Sequence, residues 1–116
     1  MPESASSKSM YPDPSAKLVH LRDTLAPGPR QAFREFGKAA FADGALDRRS
    51  KQLIAVAVAH VTQCPYCIRG HTKAALQAGA SREQIMEAIW VASEMKAGAV
   101  YAHALLALDK MPDDPA

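Results

Sequence analysis

The chain has 116 residues, one domain's worth, and its 14 basic and 12 acidic side chains leave a formal charge of only +2. A balance this even lacks the basic stripe with which nucleic-acid binders neutralise phosphates, and no apolar run approaches the ~18 to 20 residues that a membrane-spanning helix needs. With 23 alanines and 9 leucines against 6 valines and 4 isoleucines, the composition favours helices over strands.

Residues 1–13 are polar, rich in Ser and Pro, and carry almost nothing to bury, so they read as a flexible arm. They also lack the apolar core of a secretory signal, which points to a cytoplasmic location. Residues 14–116 are expected to form a single all-helical domain of about five to six helices. Ser15 caps a first helix with Leu18, Leu21 and Leu25 on one face, and the triplet Pro27-Gly28-Pro29 ends it. A second helix runs from about Arg30 to Phe41, followed by a turn at Asp43-Gly44.

Asp47 caps a third helix that continues to Val61. After its charged first turn it is apolar almost all round, which predicts a central helix. Cys64-Pro65 opens a fourth, since proline is tolerated at the first helical position, and Gly79 ends it. Ser81-Arg82-Glu83-Gln84 has the capping-box pattern and starts a fifth helix reaching about Asp109. At 1.5 Å per residue this last helix would extend ~42 Å, so it must bend, with Gly98 the natural place, or protrude. It carries Ile85, Ile89, Trp90, Met95, Val100, Tyr101, Leu105 and Leu108 on more than one face, which predicts self-association.

The chemistry is concentrated in His60-Val61-Thr62-Gln63-Cys64-Pro65-Tyr66-Cys67-Ile68-Arg69-Gly70-His71. If the helix opens at Pro65, Cys64 is its cap and Cys67 lies in its first turn, where unpaired N–H groups and the dipole favour thiolate. Two cysteines three residues apart on a helix are close enough to pair, and His71, one turn beyond Cys67, is placed to take a thiol proton. Zinc is one rival for these residues, and inert structural cysteines are another. On one continuous helix, however, His60 and His71 would stand ~16 Å apart, and only a sharp break near Gln63 would let four ligands converge. His60 reads as a buried histidine with a backbone partner standing behind the cysteines, His103 as a residue of the last helix, and Arg69 as a solvated cation.

The run Leu46-Asp47-Arg48-Arg49, the helix Leu53 to Ala59, and Cys64-Pro65-Tyr66-Cys67-Ile68-Arg69-Gly70-His71-Thr72-Lys73-Ala74-Ala75 followed by Gly79-Ala80 resemble the carboxymuconolactone decarboxylase family. Within it they resemble the AhpD-like alkylhydroperoxidase branch, over about residues 30–109. The resemblance implies an all-α bundle that assembles as a homo-oligomer, a trimer or a hexamer, and reduces organic hydroperoxides without metal or other cofactor. It implies Cys67 as the attacking thiolate, Cys64 as the resolving cysteine, His71 as part of a proton relay, and an external dithiol of lipoyl or thioredoxin type as electron donor. The relay's glutamate falls at Gln52, and a glutamine amide can hydrogen-bond but cannot accept and return a proton. His71 then works alone, or another acid such as Glu94 substitutes, or the peroxidase activity is weak. Two other functions stay open: a lactone decarboxylase that uses His71 without sulfur chemistry, and a redox sensor or disulfide carrier that is not an enzyme.

Overall fold

A computed structural model describes residues 10–114. Residues 1–9 of the expected arm lie outside the described residues, and residues 10–14 form no regular element. Five helices follow in chain order: α1 (Ala16–Leu25), α2 (Pro27–Phe41), α3 (Arg48–Val61), α4 (Pro65–Gln77) and α5 (Arg82–Asp109). No strand occurs among the described residues. No helix there is long and apolar enough to cross a membrane.

The chain divides into two compact units, one ending at Gly44 and the other beginning at Ala45. In the first, Ser15 caps α1 by accepting the Leu18 amide, and Arg30 on α2 donates to Asp23 on α1 at 2.9 Å. The second helix starts three residues earlier than the sequence predicts. Pro27, Gly28 and Pro29 do end α1, but they also form the first turn of α2, where the N–H groups that proline lacks have no partner inside the helix anyway. Phe33 and Phe36 on α2 remain exposed, with ring centroids 6.3 Å apart.

The second unit holds Cys64, Cys67 and His71. Asp47 caps α3 by accepting the Ser50 amide at 2.7 Å, and that hydrogen bond holds the Asp47 carboxyl below the usual carboxylate range. The third helix is central in this unit, packing against both α4 and α5. Val56, Ala75, Ala80 and Ile85 form the core, with Leu53 and Ile89 against it.

The near-continuous apolar run of α3 does not, however, mean burial all round. Gln52, Val56 and Ala59 are buried, whereas Ile54, Val58 and Val61, at the same spacing on another face, are exposed. Two flanking helices cover only part of the cylinder.

Both ends of α4 are set by local chemistry. At its C-terminus Gly79 adopts φ 98°, and the amides of Gly79 and Ala80 close back onto the carbonyls of Leu76 and Ala75. This Schellman turn explains the stop at glycine. Ser81 and Gln84 then form the complete capping box that opens α5. The fifth helix runs unbroken through Gly98, and every residue from Ser93 to Asp109 is exposed. Its second half therefore projects beyond the core, with Val100, Tyr101, Leu105, Leu106 and Leu108 open.

Candidate active site

The link between α3 and α4 is three residues long and turns sharply. Gln63 has φ 57°, a left-handed conformation unusual for a residue with a Cβ, and the Cys64 amide closes back onto the Ala59 carbonyl at 3.1 Å. The same turn that stops α3 thus delivers Cys64 to the N-cap of α4. There its sulfur accepts the Cys67 amide at 3.2 Å.

Cys64 and Cys67 are joined by a disulfide, their Cα atoms 5.2 Å apart, well inside the range that a disulfide bridges. Both residues are half-buried. The pair sits at the N-terminus of α4, where the Cys67 amide that bonds the Cys64 sulfur and the positive dipole end of the helix favour negative charge on sulfur once the bond opens. Tyr66 and Arg69, also in the first turns of α4, are exposed.

His71 lies on α4 one turn after Cys67 and is half-buried. Its Nδ1–H donates to Oε1 of Gln52 at 2.8 Å, across nineteen residues of sequence, and Gln52 is the one buried polar side chain among the described residues. Since the amide oxygen can only accept, Nδ1 keeps its hydrogen and the neutral ring carries its lone pair on Nε2. The glutamine fixes the tautomer that can receive a proton, while offering no carboxylate to pass that proton on. Glu94 lies exposed on α5. On its other side Gln52 lines a cavity of about 350 Å³ with Arg48, Ala74, Gln77 and Ala78.

His60 donates from Nδ1 to the Val56 carbonyl at 2.8 Å, the backbone partner expected of it. It lines a groove of about 490 Å³ between the end of α3 and the middle of α5. His103 bonds to the Ala99 carbonyl of its own helix and is exposed. The break near Gln63 that zinc would need is present, yet no three His, Cys, Asp or Glu side chains among the described residues converge on a metal-sized site.

Lys96, which the sequence does not single out, lines the groove beside His60. Ile89, Ala92, Ser93, Lys96, Ala97 and Val100 share one face of α5 and line the groove beside His60 and Gln63. The signal was present as a single cation on an otherwise small and apolar helical stripe.

The α3–α4 hairpin, with a paired C-x-x-C at the start of one helix and a histidine one turn later, lies within a stretch of chain that matches a known family. The chain belongs to the carboxymuconolactone decarboxylase family, whose sequence model matches residues 27–110. It is 71% identical over 77 residues to uncharacterized protein 4 in the cox locus of Paracoccus denitrificans, covering 66% of this chain and 69% of that one. It is also similar to the crystal structure of a carboxymuconolactone decarboxylase family protein from Legionella pneumophila. That match has a TM-score of 0.65 at 34% identity over 68% of this chain and 70% of the other. A third similar protein, from Thermotoga maritima, is described as a family member and a candidate for involvement in an antioxidative response. It gives a TM-score of 0.53 at 26% identity over 71% of this chain and 94% of that one.

Proposed function

We propose that this protein is an AhpD-like alkylhydroperoxidase, reducing organic hydroperoxides through Cys64 and Cys67 without metal or haem. The observation that carries the reading is the paired Cys64 and Cys67 at the start of α4, with His71 one turn on and oriented by Gln52. His71 Nε2 takes the Cys67 thiol proton, and the Cys67 thiolate attacks the distal peroxide oxygen. The O–O bond breaks, the sulfur becomes a sulfenic acid, and the departing alkoxide recovers the proton from His71 as an alcohol. Cys64 then attacks the Cys67 sulfur. Its own proton leaves with the displaced hydroxide as water, and the disulfide forms. An external dithiol of lipoyl or thioredoxin type returns two electrons and two protons by exchange, becoming a disulfide itself.

The open apolar second half of α5 supports assembly of the subunits into a homo-oligomer, trimeric or hexameric, and the use of an exchangeable dithiol suits the cytoplasm. The deciding experiment adds one equivalent of organic hydroperoxide to the reduced protein, traps sulfenic acid, and maps it by mass spectrometry. The label is expected on Cys67, and none is expected in Cys67→Ser; peroxide consumption that survives Cys67→Ser overturns the assignment.

Gln52 favours a second reading, since its amide orients His71 but moves no proton. In that reading the pair serves as a redox sensor or disulfide carrier whose turnover of peroxide is slow. Gln52→Glu separates the two. In the peroxidase reading it raises turnover, by up to about a hundredfold, the low end of what a positioned proton-transfer group contributes. An unchanged rate in the folded variant, with rapid reversible disulfide formation, favours the sensor.

A further inference from the structure

The groove between α3 and α5 has a chemical character of its own. At about 490 Å³ it has the size of a small-molecule site, and Val61, Ile89, Ala92, Ala97 and Val100 give it apolar walls. Its polar groups are few and of complementary kinds. Lys96 brings a cation with no ion-pair partner among the described residues, and no acidic side chain lines the groove. His60 spends its Nδ1–H on the Val56 carbonyl, so in the neutral ring Nε2 is an acceptor. Ser93 spends its hydroxyl hydrogen on the Ile89 carbonyl and likewise keeps acceptor capacity. One cation, two acceptors and the Gln63 amide, which can donate or accept, along an apolar trough match a molecule with an anionic end, a hydrocarbon body and a hydroxyl-type hydrogen. The groove lies one residue along the chain from the cysteine pair: Gln63 lines it and Cys64 follows directly, with its amide bonded to Ala59, the residue before His60.

We propose that this groove is the substrate subsite and that the preferred substrates are amphipathic hydroperoxides bearing a carboxylate, held by Lys96 at the carboxylate with the hydroperoxide O–H donating to His60. This deepens the peroxidase reading and rests on it.

The test has a binding arm and a turnover arm. In the first, octanoate and 1-octanol are titrated into the oxidised protein, followed by calorimetry or by NMR shifts of groove residues. Octanoate should bind about fivefold more tightly, as expected for one solvent-accessible charge pair. The preference should vanish in Lys96→Gln, reverse in Lys96→Glu, and persist in Lys110→Gln, outside the groove. In the second arm the ratio of kcat/KM for omega-hydroperoxyoctanoate over its methyl ester should follow the same pattern. Equal ratios in the wild type and both Lys96 variants, with peroxide still consumed, overturn the groove and leave the peroxidase standing. Octanoate preference without turnover of either hydroperoxide overturns the peroxidase reading and leaves a carboxylate site. Lys96→Glu altering the number of subunits while octanoate affinity stays constant overturns the proposal in favour of an interface between copies.

Discussion

The two turns that bracket α4 are built to the same plan and finished in different materials. Each ends a helix with a left-handed residue and an amide closing back on the carbonyl five positions earlier, and each leads within one or two residues to a side-chain cap for the next helix. After α4 the left-handed residue is Gly79 and the cap is Ser81 with its full capping box. After α3 the left-handed residue is Gln63 and the cap is a cysteine sulfur. The first turn is made of the residues that fit such positions best. The second keeps a glutamine where glycine is easier and a weak acceptor where a hydroxyl is better, at the place where the chemistry sits. The turn that carries the first cysteine of the pair is thus the one built from the less favourable residues.

Exchanging the materials of the two turns sharpens this contrast. The largest effect is expected from Cys64→Ser, which leaves an acceptor at the cap and so preserves the fold but removes the resolving thiol. A single equivalent of hydroperoxide should be consumed and steady-state turnover lost, as stopped-flow and coupled assays can show. Next comes Gly79→Gln, which places a Cβ at φ 98° and should cost about 1–2 kcal/mol in denaturant unfolding. Smallest is Gln63→Gly, where relief of the left-handed strain is partly offset by the greater freedom of glycine when unfolded. It should stabilise the protein by about 0.5–1 kcal/mol. A loss of stability there would mean that the Gln63 side chain contributes contacts which outweigh its backbone conformation.

Much of the second unit was legible because its signals are local. Asp47, Cys64-Pro65, Gly79 and the Ser81 to Gln84 box each act within a turn of chain, and the helices begin and end where those residues direct. The Pro27-Gly28-Pro29 triplet reads in sequence as a stop, yet a proline that breaks one helix is equally suited to begin another. The exposed stripe of Ile54, Val58 and Val61 was hidden for a different reason: composition reports how apolar a helix is, and tertiary packing decides how many of its faces find a neighbour.

At the site, the order of Cys64, Cys67 and His71 is visible in the spacing. The Gln52 to His71 bond joins two helices and came into view only through a family resemblance. The groove is assembled from the end of α3 and a stretch of α5 some thirty residues later, so no window of sequence displays it.

The cysteine bridge closes a ring of only three residue steps along the chain. A loop that short restricts the denatured chain by only about 2 kcal/mol, against nearly 5 for a hundred-residue loop. Breaking it therefore loosens the chain far less than opening a bridge between distant segments would, and in the proposed cycle between dithiol and cystine the pair works as a latch set into a single turn of the frame.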